Sequence, residues 1–148
     1  MIRRSVLGVG ALVIVMVLAT SYAALAKPLS NRQWHKQATA ICKRFHEDRG
    51  AILPANALSV TPDEAQAYVE QAVPLYEELI TSIDALDEPK ANTKKVKTFV
   101  KALTATIATI EDTPLAAYSG FEDPFAKANS AAKKLGLGSC TGLGDQRI

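Results

Sequence analysis

Residues 61–88 read TPDEAQAYVEQAVPLYEELITSIDALDE, and this stretch indicates the fold class of the whole chain. Thr61 and Glu64 form a capping box, and Pro62 occupies the first helical position, where proline is favoured. Apolar residues then recur at the three- and four-residue steps that mark one face of an α-helix. They are Ala65, Tyr68, Val69, Ala72, Val73, Tyr76, Leu79, Ile80, Ile83 and Leu86. We therefore predict a long amphipathic helix, ended by residues 87–89, whose apolar face is buried against other helices.

Three further stretches have the same periodicity. The first runs from the capping residue Ser30 to Gly50, and the third runs from about Asn92 to Asp112. The fourth opens at Asp123-Pro124 and ends at Gly136. The sequence has no Asn-Gly hairpin signal and no sustained alternation of apolar and polar residues, so strands are not expected. Because the connections are mostly short, the predicted fold is all-α, an up-down four-helix bundle.

The N-terminal residues have the pattern of an export signal. Arg3 and Arg4 precede an unbroken apolar run, residues 6–19, and the small residues Ala24 and Ala26 follow. This order predicts a signal peptide over residues 1–26 with cleavage after Ala26. The alternative is an uncleaved anchor, because about 20 uncharged residues suffice to cross a bilayer as a helix. We predict a secreted or envelope-associated domain over residues 27–148, with membrane attachment only if the segment is kept.

The charge balance argues against a nucleic-acid partner. The chain has 17 Lys and Arg against 15 Asp and Glu, and removal of Arg3 and Arg4 leaves 15 of each sign. No RNA- or DNA-binding motif offsets this neutrality. The charges are nevertheless segregated, with eight acids and no base in residues 61–88 and five Lys and no acid in residues 90–101. As antiparallel neighbours, the second and third helices are expected to attract each other weakly along their flanks. We interpret the charges as the solvated faces of adjacent helices, and the alternative is a docking patch.

The two cysteines predict a covalent closure of the domain. Cys42 and Cys140 are the only cysteines in the sequence, and the compartment that an export signal implies is oxidising. We therefore predict a Cys42–Cys140 disulfide that encloses nearly the whole domain. The Gly-rich residues 136–144 lack the preceding strand and following helix of a nucleotide-binding loop. We expect them to be a flexible run that returns Cys140 to the first helix.

The sequence does not predict an active site or a metal site. His35, Cys42 and His46 lie along one stripe of the first helix, where a thiolate and an imidazole could share a metal ion. With Cys42 in a disulfide, the two histidines are too far apart to share one. No sequence motif of catalysis is present. We therefore expect no metal, no cofactor and no enzymatic activity.

The aromatic residues give two hypotheses of function. Tyr118 and Phe121 fall outside a clear helix, where aromatic side chains often mark a contact surface. We predict an interaction module that binds another envelope or secreted protein through a helix face or this loop. The alternative is a carrier of an apolar small molecule, lipid or haem-like, in a cavity between the helices. Besides those two residues, Trp34, Tyr68 and Tyr76 could line such a cavity, although aromatics at helical spacing ordinarily form a core.

Three segments carry a resemblance to a group of known proteins. They are Trp34-His35-x-x-Ala38-x-x-Ile41-Cys42, Leu86-Asp87-Glu88-Pro89, and Ala131-Ala132-x-x-Leu135-Gly136-Leu137-Gly138-Ser139-Cys140. In these segments the chain resembles the small exported helical-bundle proteins common in actinobacteria. Many of those are lipoproteins, and this chain departs from them because no attachment cysteine follows its apolar run. The resemblance implies a bundle, export and one disulfide. It transfers no functional residue, because the group has no common assigned activity.

Overall fold

The computed structural model describes residues 29–53, 60–117 and 123–144. They form four α-helices and two short 3-10 helices. The α-helices are α1 (Asn31–Ala51), α2 (Pro62–Asp84), α3 (Thr93–Asp112) and α4 (Ala126–Leu135), and the 3-10 helices are Pro114–Ala117 and Gly138–Cys140. These three segments contain no strand, which confirms the all-α prediction. The predicted signal peptide, residues 1–26, and the predicted contact residues Tyr118 and Phe121 lie outside the described residues.

The first two helices begin at the capping boxes that the sequence predicts. The Ser30 hydroxyl accepts a hydrogen bond from the Gln33 backbone N–H, and the Gln33 side chain accepts one from the Ser30 backbone N–H. Thr61 and Glu64 make the same reciprocal pair at the start of α2. These bonds satisfy backbone donors that the first helical turn leaves without partners.

Some helix ends differ from the predicted positions by a few residues. α2 ends at Asp84, although apolar periodicity continues to Leu86. α4 begins at Ala126 because Asp123 first forms a tight turn, in which its Oδ1 accepts a hydrogen bond from the Phe125 backbone N–H at 2.8 Å. α4 ends as predicted at Gly136, which has a left-handed φ of 75°, a conformation that glycine adopts without a Cβ penalty.

The helices follow an up-down order. Each α-helix packs on the next in the chain, and the 3-10 helix Gly138–Cys140 contacts both α4 and α1. The Asn92 side chain donates a hydrogen bond to Asn31 Oδ1 at 2.8 Å, which joins the starts of α3 and α1. Gly136, at the end of α4, lies against His35, near the start of α1. The bundle is therefore α1 up, α2 down, α3 up and α4 down, as predicted.

One continuous apolar core fills the space between the helices. Trp34 and Phe99 are completely buried, and Tyr76 is 1% exposed. The Tyr76 ring stacks on Phe125 with a centroid distance of 5.3 Å and meets Phe45 at 4.8 Å. Burial of a large apolar side chain contributes about 1.5–3 kcal/mol, so this aromatic group is a main source of the stability of the bundle.

The charged flanks of α2 and α3 are exposed to solvent, and no ion pair joins the two helices. In the described part of the chain there are two ion pairs, and both involve Arg44 of α1, which contacts Asp48 at 3.7 Å and Glu78 at 2.8 Å. No lysine of α3 pairs with a carboxylate of α2. The two helices are neighbours through their apolar faces, and their charged residues point to solvent instead. Two oppositely charged surfaces are thus left exposed on the molecule.

Candidate functional site

The C-terminal segment closes the bundle through the predicted disulfide. Cys42 and Cys140 are bonded, both are completely buried, and their Cα atoms lie 5.1 Å apart. Leu137 and Leu143 on either side are also completely buried, and a Cβ on Gly144 would collide with the Phe125 ring. The expectation of a flexible glycine run is wrong for residues 137–144, because the side chains of Leu137, Cys140 and Leu143 are buried in the core and Gly144 is packed against Phe125.

A buried polar group fixes the end of this segment. The Leu143 carbonyl oxygen accepts a hydrogen bond from Arg49 Nη1 at 2.8 Å and a second from the Tyr76 hydroxyl at 2.7 Å. The Leu143 backbone N–H donates to Asn129 Oδ1 at 3.2 Å. Burial, and then the neighbouring Tyr68, raises the pKa of Tyr76 well above 10, so Tyr76 remains a neutral donor. This arrangement secures the tail to α1, α2 and α4 and is structural in character.

His46 lies beside the same segment. It is half-buried, and burial followed by the neighbouring Arg49 guanidinium lowers the pKa of His46 below its ordinary value of 6.5, against a smaller opposing effect of backbone hydrogen bonds with Ser139 and Thr141. The fold therefore favours neutral imidazole. The contribution of the neutral His46 imidazole to the free energy of unfolding is complete above pH 6.5. It is lost as the pH falls through the lowered pKa that His46 has in the folded protein.

We expect this dependence of stability on the protonation of His46 to be measurable by urea unfolding between about pH 7.5 and about pH 5.5. Ordinary carboxylates titrate little in this range. The free energy of unfolding of the wild type should fall across this range. His46→Gln retains an N–H donor for the backbone and should remove most of the fall. The matched control His35→Gln should keep it. An equal fall in wild type and His46→Gln would contradict the assignment.

Three of the aromatic residues proposed to line a ligand cavity fall within the described residues, and all three are part of the packed core. Trp34, Tyr68 and Tyr76 are all at most 3% exposed, and their neighbours include the rings of Phe45 and Phe125. The grooves formed by described residues open to solvent at the surface of the bundle. The carrier hypothesis remains a prediction from the sequence, and these contacts give it no additional support.

A broad surface depression lies between α3 and α4. α3 contributes Thr98, Lys101, Ala102 and Ala105, and α4 contributes Ala126, Lys127, Ser130, Ala131 and Lys134. We call this depression, of about 630 Å³, the basic groove. Its floor consists of alanines and its walls carry lysines. Side chains as small as alanine permit close approach by another helix, because interaxial distances depend on the side chains at the contact.

A second depression extends the positive surface along α3. It is lined by Lys90, Thr93, Lys94, Lys97, Thr98 and Lys101, and it shares the last two residues with the basic groove. All six lysines that line the two depressions are exposed. No Asp or Glu lines either one, and no carboxylate of the described segments forms an ion pair with these lysines. Clustered cations of this kind produce a positive potential that attracts anionic groups.

The spacing of the lysines is regular. Lys94 and Lys101 are seven residues apart on α3, and Lys127 and Lys134 are seven apart on α4. At 1.5 Å per residue, each pair spans about 10 Å along its helix. Thr98 and Ala105 alternate with the α3 lysines at steps of three and four, so one exposed ridge of α3 has alternating basic and compact side chains. The sequence analysis did not identify this site, although the seven-residue spacing of the lysines is visible in the sequence.

The cleft between α1 and α2 is a poorer candidate. It is lined by apolar residues such as Ile41 and Leu75, but its accessible space is only about 40 Å³. Arg44 and Glu78, which also line it, form an ion pair at 2.8 Å. The opposite charges of this cleft are already paired with each other, whereas the lysines of the basic groove are not.

Three further observations bear on the class of protein. Within residues 29–53, 60–117 and 123–144, no helix is long and apolar enough to span a membrane. The same residues contain no group of three His, Cys, Asp or Glu side chains placed to hold a metal ion. No protein-family model, curated protein or solved structure matches the chain. The class that the described geometry defines is a disulfide-closed four-helix bundle with a lysine-walled groove between α3 and α4.

Proposed function

We propose that this protein is an exported interaction module that binds an acidic helix of its partner in the basic groove. The single observation that carries the proposal is the groove itself, whose alanine floor lies between lysines that have no ion-pair partner among the described residues. An amphipathic helix laid into a groove is one of the common modes of peptide recognition. The proposal retains the helix-face alternative of the sequence analysis and replaces the loop alternative at Tyr118 and Phe121.

The chemistry of the groove defines the partner. A helix is about 10 Å wide with its side chains, and small side chains on its contact ridge would meet the alanine floor at close range. Carboxylates repeated every seven residues would meet Lys127 and Lys134 of the α4 wall, which have the same repeat, and would lie near Lys101 of the α3 wall. Electrostatic complementarity of this kind speeds encounter and fixes register more than it adds affinity.

Export is part of the proposal, and two observations support it. The N-terminal residues combine Arg3 and Arg4 with a long apolar run, which is typical of a secretory signal. The Cys42–Cys140 disulfide of the structure suits an oxidising compartment. We therefore expect the partner to be an envelope or secreted protein. Mass spectrometry of the protein produced in an exporting host should find a chain that starts at Lys27 and lacks the two cysteine hydrogens.

Titration with a synthetic peptide tests the proposed function. The probe is an alanine-rich helical peptide of about 20 residues with Glu at every seventh position, and a second peptide with Gln at those positions is its control. We expect the Glu peptide to bind and its affinity to fall as salt increases. The variant Lys101→Gln/Lys127→Gln/Lys134→Gln should bind about tenfold more weakly, because each exposed ion pair contributes about 0.5 kcal/mol.

A matched variant separates the groove from general positive charge. Lys36→Gln/Lys43→Gln/Lys95→Gln removes three exposed lysines that do not line the basic groove, so it should bind the Glu peptide nearly as the wild type does. Equal weakening in the two triple variants would mean that net charge alone attracts the peptide. That result, or equal binding of the Glu and Gln peptides, would overturn the proposal.

A further inference from the structure

The outer surface of α2 has a pattern that matches the basic groove. Asp63, Glu70, Glu77 and Asp84 are exposed and follow each other at seven-residue steps. Ala67, Pro74 and Thr81 are also exposed and lie between them, so the seven residues advance by steps of four and three along one side of the helix. We call these seven residues the acidic stripe. Its acids alternate with compact side chains that do not hinder close contact.

Nothing within the described residues covers or neutralises this stripe. Its residues are exposed along the whole length of α2, opposite the face that packs on the core. None of its four carboxylates is in an ion pair, because the two ion pairs of the described chain use Asp48 and Glu78. A helix face that has one sign of charge and no ion-pair partner among the described residues is available to a positively charged surface of complementary spacing.

We infer that the partner of the basic groove is a second copy of this chain, whose acidic stripe docks between α3 and α4. This inference rests on the proposed function of the groove. The acids of the stripe repeat every seven residues, as do Lys127 and Lys134 on the α4 wall of the groove. Lys94 and Lys101 of α3 have the same spacing, and of these Lys101 lines the groove and Lys94 lines the adjoining depression. The compact residues of the stripe recur with the same period as Thr98 and Ala105 of α3, which line the groove. Charge and shape therefore alternate in step on the two surfaces.

The two surfaces lie at different places on one molecule, which determines the kind of assembly. A contact between the stripe of one copy and the groove of another is heterologous, because each copy uses a different surface. Two copies joined by one such contact still present one unused stripe and one unused groove, so the contact propagates into a closed ring or an open chain of copies. We expect association that increases with protein concentration and decreases with salt.

Sedimentation of protein produced in an exporting host tests the inference. Two variants each remove three charges, Glu70→Gln/Glu77→Gln/Asp84→Asn from the stripe and Lys101→Gln/Lys127→Gln/Lys134→Gln from the groove. Wild type should exceed the monomer mass at low salt, and each variant alone should associate at least about tenfold more weakly, as expected for three exposed ion pairs. The equimolar mixture should form a 1:1 dimer and nothing larger, since it combines one intact groove with one intact stripe.

The outcomes separate this inference from the proposed function. A wild type that stays monomeric while the Glu peptide still binds would overturn the self-pairing and leave the groove as a docking surface for another protein. A wild type that stays monomeric and does not bind the peptide would overturn both. Variants that associate as the wild type does, or a mixture that stays monomeric while the wild type associates, would also overturn the stripe-to-groove contact. Unchanged circular dichroism of each variant establishes that the fold is retained.

Discussion

Loss of the Cys42–Cys140 disulfide is expected to lower the free energy of unfolding by about 4 kcal/mol. The two cysteines are 98 residues apart, so the bridge restricts almost the whole unfolded domain. The chain-entropy account predicts the greatest stabilisation for long loops of this kind. A loss of that size is a large part of the stability of a small domain, which is typically about 5–15 kcal/mol.

Urea unfolding followed by fluorescence measures this effect, because the chain has a single tryptophan and Trp34 is completely buried. Wild type with and without reductant gives the contribution of the bond without any change of sequence. Cys42→Ala/Cys140→Ala is the control, and reductant should not alter its stability. A loss below about 1 kcal/mol on reduction would contradict the account, because the loop is long enough to predict several times that amount.

Arg49→Ala is expected to lower the free energy of unfolding by about 3 kcal/mol. The change removes a charged hydrogen bond, worth about 1.5–3 kcal/mol, and the packing of the aliphatic part of the side chain. Arg49 is 2% exposed and donates to the Leu143 carbonyl. The Tyr76 hydroxyl would be left on that carbonyl, so the tail should remain attached but less stable.

Arg44→Ala is the matched control for Arg49→Ala. Arg44 is on the same helix and forms ion pairs with Asp48 and Glu78, but its side chain is 70% exposed. Exposed ion pairs contribute about 0–1 kcal/mol, so its loss should have a small effect. Similar losses of unfolding free energy in the two variants would contradict the importance that we assign to the buried contact of Arg49 with the tail.

The fold was predictable because its determinants are local in the sequence. The capping boxes at Ser30 and Thr61 need only residues three positions apart, and the apolar period of each helix is visible within its own segment. The disulfide was predictable because Cys42 had one available partner. These features were sufficient for the number and the order of the helices. The resemblance to exported bundle proteins remains a prediction.

The packed tail was less predictable, for a physical reason. Residues 136–144 contain four glycines, a composition that suggests flexibility. In the structure Gly136 caps α4 and Gly144 lies against Phe125. Leu137, Cys140 and Leu143 fill the end of the core. These three residues are spaced at three-residue steps around a short 3-10 helix. Such a short segment gives no periodic pattern in the sequence, so only tertiary packing reveals their role.

The candidate site depended on tertiary arrangement as well. Nothing in the sequence marks alanines 102, 105, 126 and 131 as a group, and only the adjacency of α3 and α4 brings them together in the lining of a groove. The opposite charges of α2 and α3 were recognised from the sequence as solvated faces, and no ion pair joins the two helices in the structure. The two helices turn apolar faces toward each other, and this leaves both sets of charges available for contacts between molecules.

Ala105→Leu gives the most direct test that the basic groove is a docking surface, because it fills the groove without changing charge. Ala105 is exposed on the floor of the groove, whereas Ala108 is exposed on α3 outside it. In a titration with the Glu peptide, Ala105→Leu should bind at least about tenfold more weakly, a loss of about 1.4 kcal/mol. Ala108→Leu should bind as the wild type does. If Ala105→Leu also binds as the wild type does, the peptide is not held between α3 and α4, and the proposed function is wrong.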